Sequence, residues 1–590
     1  MSAYPFSRRT FLSRSVATAA ATGSSLFWTP AAWAAMPMPE AAEPMDKSLD
    51  TFIAAYMAAM NAPGVTLGLT DASHTLRTAG YGYANVETKT PLTTEYLFQI
   101  GSITKSFVAL VLLQLYDEGK LDLHKPVLEY LPWLPVREDY GSIATHHLLT
   151  HTSGLPDSLS FLPAGKDERL VQTSKPGENF HYCNAGFGIL GELVVKLTGK
   201  PWRLAVQERI LTPLEMHDTA GVISAAIRAK SATGYQQFYP DQVYPRQGRL
   251  ATTGNLTMDD TAGCIASTPA DMAKYARMLV NRGQGPKGRI VSEASFKLMS
   301  TPYIKAEEFS PTASYGYGIA VDTLEGHTIL RHTGGMVAFA SSIHVDLDGG
   351  VAAFASINAM QGYRPTAVTE YAVRLLNAQK ESKALPEMPV IADALEAENA
   401  AEYVGSFTSA GGGKLEFAVE SGPSGKRLML MDGSGAIPLQ HAAGDRFLST
   451  KEDHFASHAF VFGRAKAGHA SDGGSSDTGS KPPVIEVSYG GEWYTNSTYT
   501  GPRSFNVPAE YVAYAGHYVN DGAWGGEARV YILKGQLFAE GDPLTPLGGA
   551  LFRAGEEAWS PETAEFLHVY EGKARLMKLA GMEFWRVEVD

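Results

Sequence analysis

The sequence predicts an α+β domain followed by two small antiparallel β-barrels. Three observations carry that expectation. Strand-like and helix-like patterns alternate from Leu49 to about Gln379, and the chain then changes character after Ser382-Lys383-Ala384-Leu385-Pro386. The C-terminal remainder is made of short strands and turns, and it repeats itself. At 590 residues the chain is also too long for one hydrophobic core, which leads to several domains. The expected boundaries are residues 1–34 for an N-terminal leader, 35–385 for the α+β domain, 386–505 for the first barrel and 506–590 for the second.

Within the first domain, Val65-Thr66-Leu67-Gly68-Leu69 and Thr75-Leu76-Arg77-Thr78-Ala79 read as paired strands. An amphipathic segment from Ile103 to Asp117 reads as a helix, with Gly119 as its stop. Ile329 to His332, Ala340 to Val345 and Val351 to Asn358 read as three strands separated by Gly-rich turns, and Thr366 to Gln379 as a closing helix. The first and last strands are expected in one sheet. Beyond Pro386 no helix is expected after a short lead-in from Glu396 to Tyr403. Glu402-Tyr403-Val404-Gly405-Ser406-Phe407 parallels Ala513-Tyr514-Ala515-Gly516-His517-Tyr518. Arg427 to Leu430, Ile437-Pro438-Leu439 and Arg446-Phe447 parallel Gln536 to Ala539, Thr545-Pro546-Leu547 and Leu551-Phe552. Two copies of one barrel account for both sets. The Gly/Ser/Asp-rich run from Gly468 to Pro483 reads as a flexible insertion in the first copy.

Composition is that of a globular protein, with 44% hydrophobic and 19% charged residues. A net charge of -13 argues against a nucleic-acid partner, because phosphate binding needs a basic surface. Ser7-Arg8-Arg9-Thr10-Phe11-Leu12 resembles a twin-arginine export motif; an apolar run from Val16 to Trp28 and an Ala32-Trp33-Ala34 cleavage site come after it. The run is too short to span a bilayer, and no cysteine directly follows it for lipid attachment. A periplasmic or secreted protein without stable membrane insertion is expected. Cys183 and Cys264 are the two cysteines, read as unpaired buried thiols rather than a disulfide framework.

Ser102-Ile103-Thr104-Lys105 places a serine and a lysine three apart at the start of the long helix. That spacing puts both on one face, about 5–6 Å apart at Cβ. A serine hydroxyl becomes a competent nucleophile when a neighbour takes its proton, and a lysine in suitable surroundings can do so. The helix N-terminus would add partial positive charge at the Ser102 N–H, where an oxyanion can form.

Further along stands His147-Leu148-Leu149-Thr150-His151-Thr152-Ser153-Gly154-Leu155-Pro156. With these strings the sequence resembles, from about Met57 to Leu376, the family of class C serine β-lactamases, penicillin-binding DD-peptidases, D-aminopeptidases and related esterases. The resemblance implies an antiparallel sheet flanked by helices, with Ser102 as nucleophile and Lys105 as base. The family's Y-x-N motif is matched by Tyr182-Cys183-Asn184, which implies a proton shuttle at Tyr182 and substrate amide binding at Asn184. Two decoys, Tyr494-Thr495-Asn496 and Tyr518-Val519-Asn520, lie in the barrel region. The K-T-G motif is matched by His332-Thr333-Gly334-Gly335, implying substrate binding there and a second oxyanion N–H at Gly335. His332 departs from the usual lysine. A histidine of ordinary pKa is largely neutral at pH 7 and supplies no fixed charge for a β-lactam carboxylate. The two lipocalin-like barrels resemble the architecture of D-aminopeptidases, in which a barrel loop helps cap the active site.

Other constellations carry less. His146, His147 and His151 lack the acidic partner of a metalloprotease helix, so neither metal nor cofactor is expected. No G-x-S-x-G elbow is present, and Cys183 sits inside Y-x-N, where its thiol should point away from the site. The reading is an exported serine hydrolase cleaving an amide or ester of a small-molecule or short-peptide substrate, in the manner of a D-aminopeptidase or DD-peptidase. A carboxylesterase or weak β-lactamase is the alternative within that fold; a non-catalytic cell-wall or ligand-binding protein is the alternative outside it.

Overall fold

The computed structural model describes residues 37–38, 44–157, 169–239, 242–243, 246–253, 256–360, 364–433, 435–451, 455–465, 481–522 and 526–588. The twin-arginine segment and cleavage site, and residues 468–480 of the Gly/Ser-rich insertion, lie outside the described residues. Among the described residues no helix is long and apolar enough to cross a membrane.

The first domain is built on a nine-stranded antiparallel sheet. Its central order runs Ala320–Leu324, His327–Met336, Phe339–Asp346, Val351–Ile357, Gly64–Asp71, Thr75–Asn85. The first and last long strands do pair, Val65 opposite Ile357 and Leu69 opposite Ala353. Alternation along Val351–Ile357 explains how both faces are covered. Ala353, Ala355 and Ile357 pack against the helices Pro44–Met60 and Thr366–Lys380. Ala352 and Phe354 face the larger cluster containing Pro269–Val280 and Thr104–Asp117. Thr104–Asp117 is apolar around its circumference, and every residue from Thr104 to Leu113 is buried. A helix of that pattern belongs inside a core. Each fully buried leucine in it contributes about 2–5 kcal/mol against truncation.

Each C-terminal unit is a closed barrel of eight strands, one from Gly405–Ser409 to Glu492–Thr495, the other from Gly516–Asn520 to Met582–Val587. Closure is by Thr408 opposite Thr495 in the first and Val519 opposite Trp585 in the second. Phe407, Phe417, Phe447, Phe460 and Phe462 pack the first interior, and Tyr518, Phe552, Phe566 and Phe584 the second, as expected of eight-stranded barrels filled by side chains. The internal repeat is structural: Tyr403 and Tyr514 each end a short helical turn, and Gly405 and Gly516 each open the first strand.

Two corrections concern those turns. Only Ala400–Tyr403 of the expected lead-in is helical, as a 3-10 turn. Its counterpart Ala509–Tyr514 is a short α-helix that sequence reading assigned to strands and turns. Six residues make under two turns, too few for a 3.6-residue period to register. Its buried face is only Tyr511 and Tyr514.

Candidate active site

The nucleophile turn is held by the sheet. Gly101–Ile103 is a 3-10 turn leading directly into Thr104–Asp117. Beyond Arg331 the strand His327–Met336 has no partner on the Ala320–Leu324 side, and the turn packs there. Gly101 has φ +56, and a Cβ on it would stand 2.4 Å from the Gly335 nitrogen. A Cβ on Gly334 would stand 1.8 Å from the Ile100 carbonyl oxygen. Glycine is required at both places because backbone meets backbone. Ser341 Oγ donates to the same Ile100 carbonyl at 2.6 Å, and Thr104 Oγ1 accepts the Ile265 N–H at 3.1 Å.

Ser102 is half-buried, and Lys105 is fully buried one turn below it. Lys105 Nζ donates to Ser102 Oγ at 3.1 Å, to Asn184 Oδ1 at 2.7 Å and to the Ala262 carbonyl at 2.8 Å. None of these acceptors carries a formal charge. The Tyr182 ring lies 4.8 Å from Nζ. With two hydrogens given to Asn184 Oδ1 and the Ala262 carbonyl, a neutral Nζ would turn its lone pair to the Ser102 hydroxyl and take its proton along the same 3.1 Å contact.

Tyr182 and Asn184 are positioned by the histidine-rich string. His151 stacks on Tyr182 with ring centroids 4.1 Å apart; its Nδ1 accepts the Cys183 N–H at 2.9 Å, and its carbonyl accepts the His181 N–H at 2.8 Å. His147 Nδ1 accepts the Ala144 N–H at 3.0 Å, while His146 bonds the Tyr317 hydroxyl at 2.8 Å and is pushed by burial down to about 4. Among the described residues no group of three metal-ligating side chains converges. Cys183 caps the helix Asn184–Thr198, its sulfur accepting the Gly186 N–H at 3.2 Å. Burial, then the nearby Asp157, pushes its thiol well above the ordinary value, an environment unlike that of a reactive thiolate. Both cysteines are free and buried.

The structure therefore gathers Ser102, Lys105, Tyr182 and Asn184, and sets Gly334 and Gly335 against the nucleophile turn. Thr333 and Gly335 share the more exposed face of their strand, and His332 and Gly334 the buried one. His332 differs from a side chain reaching out to substrate: it is 1% exposed, with Nδ1 at 2.6 Å from the Thr333 carbonyl and Nε2 at 2.8 Å from the Tyr315 hydroxyl. Its nitrogens are engaged within the protein, because strand alternation turns the ring into the cluster of Tyr315 and Phe309. The decoy tyrosines lie elsewhere. Tyr494 donates to Glu492 on the first barrel, and Tyr518 donates to the Tyr514 carbonyl inside the second.

Three residues at the site escaped sequence reading. Asp157 comes directly after the histidine-rich string; its Oδ1 accepts the Asn184 N–H at 2.6 Å and its Oδ2 the Asn184 side-chain amide at 3.3 Å. Arg364 lies beside Gly335, whose Cβ would come within 2.3 Å of the guanidinium; burial draws its pKa down to about 10, which leaves it charged at pH 7. Glu562 arrives from the second barrel, accepting the Asp157 N–H at 2.7 Å.

The beta-lactamase family model matches residues 49–378, more than half of the chain. The chain belongs to the beta-lactamase family. With that membership it is a serine hydrolase. It is 29% identical over 283 residues to penicillin-binding protein 4 of Amycolatopsis lactamdurans, covering 44% of this chain and 72% of that protein. It is 33% identical over 193 residues to esterase EstB of Burkholderia gladioli, covering 28% of this chain and 48% of the esterase. Among solved structures, an octameric penicillin-binding protein homologue from Pyrococcus abyssi has the same fold, with TM-score 0.51, 24% identity and coverage of 76% of this chain and 99% of that one. Ser102 and Lys105 lie within the matched region.

Proposed function

We propose that this protein is an exported D-aminopeptidase-like or DD-peptidase-like hydrolase that cleaves small D-amino-acid amides or peptides through an acyl-enzyme on Ser102. The observation that carries the chemistry is the Ser102 hydroxyl 3.1 Å from the fully buried Lys105 amine. Ser102 Oγ attacks the substrate carbonyl carbon as its proton passes to Lys105. The tetrahedral oxyanion faces the N–H groups of Ser102 and Gly335. Collapse expels the amine or alcohol, with Tyr182 delivering its proton, while Asn184 holds the substrate amide. Water then gives a proton to the Tyr182 oxygen as it attacks the ester carbonyl, and collapse releases the acid as the proton held on Lys105 returns to Ser102 Oγ.

The substrate class is supported by position 332. The His332 ring is held within the protein, with Nδ1 2.6 Å from the Thr333 carbonyl and Nε2 2.8 Å from the Tyr315 hydroxyl, rather than presented to substrate. His332 itself presents no fixed cation for a β-lactam carboxylate, and the charged group beside this strand is Arg364, next to Gly335. The relative named for penicillin binding supports acyl transfer from amides. The relative named an esterase favours the carboxylesterase reading, since esters need less leaving-group activation. Hydrolysis of D-alanine 4-nitroanilide, its L enantiomer, D-alanyl-D-alanine and 4-nitrophenyl butyrate separates these. The D-anilide is expected to exceed the L-anilide in kcat/KM by about tenfold or more. Turnover of the butyrate alone would establish the esterase instead.

A further inference from the structure

We infer that the second barrel supplies a positioning residue of the active site, Glu562, which acts through Asp157 on Asn184 and Lys105. The inference rests on Lys105 and Asn184 working as proposed above.

Glu562 ends the connection between the strands Leu551–Ala554 and Thr563–Tyr570. It is a carboxylate only 2% exposed, on the barrel farthest in sequence from the nucleophile. Its own loop sets it in place. The Ala554 N–H donates to the Glu562 carbonyl at 2.9 Å, and Ser560 Oγ donates to the Ala554 carbonyl at 2.9 Å. From there the side chain enters the first domain. Oε1 accepts the Asp157 N–H at 2.7 Å and lies 2.9 Å from His181 Nε2. Alongside, the Trp559 carbonyl accepts the Thr173 hydroxyl at 3.2 Å.

The contact lands on both arms of the site. His181 precedes Tyr182. Asp157 grips Asn184 at its backbone N–H and its side-chain amide. With one Nδ2 hydrogen given to Asp157, Asn184 presents Oδ1 to Lys105 Nζ at 2.7 Å and has its second Nδ2 hydrogen for the substrate carbonyl. Lys105 in turn reaches Ser102. The path from barrel to nucleophile is thus an unbroken run of hydrogen bonds. A buried carboxylate is retained at a desolvation cost unless its neighbours solvate it, and here those neighbours are the groups that aim the site. A misplacement of about 1 Å at Lys105 can cost about a hundredfold in rate.

The test uses the full chain and a fluorophosphonate probe, with 4-nitrophenyl butyrate hydrolysis as the steady-state readout. Glu562→Ala is expected to slow acylation and kcat by about tenfold to a hundredfold with KM changed less than threefold, and Glu562→Gln, which keeps an acceptor for the Asp157 N–H, to recover most of the loss. Glu556→Ala, which removes an exposed carboxylate from the same connection, is expected to acylate at the wild-type rate. If Glu562→Ala does not fold, Glu562→Asp keeps the charge but withdraws the oxygen, and slowed acylation in that variant is the supporting result. Wild-type acylation by folded Glu562→Ala or Glu562→Asp, even with a lowered melting temperature, would overturn the inference and leave Glu562 as a purely structural contact. Wild-type protein that the probe does not label would overturn the reading of the site itself, and this inference with it.

Discussion

Ser102→Ala is expected to lose turnover by about 10³-fold or more while keeping its fold. The two halves of that expectation have separate reasons. Catalysis disappears because no other atom replaces the attacking oxygen. Folding survives because the serine hydroxyl makes one hydrogen bond to Lys105, and Lys105 keeps Asn184 Oδ1 and the Ala262 carbonyl as acceptors. Loss of one such bond costs about 0.5–1.5 kcal/mol. Thermal denaturation beside a kcat measurement checks both; a folded Ser102→Ala enzyme with substantial kcat would mean that another nucleophile does the chemistry.

Lys105→Ala is expected to lower kcat by about 10²–10⁴-fold, the range of a positioned general base. It also empties the space of a fully buried side chain and strands Asn184 Oδ1 and the Ala262 carbonyl, each at about 1–3 kcal/mol. Stability and activity would fall together, which makes that variant alone hard to read. Lys105→Met separates the effects, since it refills the volume without an amine. Comparable kcat loss in both variants, with a smaller drop in melting temperature for Lys105→Met, is the expected pattern. Near-wild-type kcat in folded Lys105→Met would exclude the lysine as base.

Local chemistry was legible in the sequence and tertiary chemistry was not. Ser102 and Lys105 lie three apart, so helical spacing alone juxtaposes them. The long strands of the sheet were legible as apolar runs bounded by Gly-rich turns, being buried on both faces along Gly64–Asp71, Phe339–Asp346 and Val351–Ile357, and the barrels were legible through their short strands and the Tyr-x-Gly repeat. Tyr182 could be told from Tyr494 and Tyr518 by order along the chain and the preceding Pro-Gly turn, and the physical distinction is that its ring lies beside Lys105 while theirs are bonded within the barrels. His332 was legible as a departure from lysine, but the direction of its ring depended on the Tyr315 hydroxyl, which no local pattern displays. Asp157, Arg364 and Glu562 had no local signature. Glu562 meets Asp157 across 405 residues, and only docking of the second barrel brings them together. The helix Ala509–Tyr514 escaped because two tyrosines are too few to define a period.

The most direct measurement is intact-mass analysis after fluorophosphonate treatment, then peptide mapping, on wild-type and Ser102→Ala protein. A single adduct carried by the Ser102 peptide in the wild type and absent from Ser102→Ala is the expected result. An adduct that persists in Ser102→Ala, or maps to any other residue, would contradict the assignment of Ser102 as nucleophile.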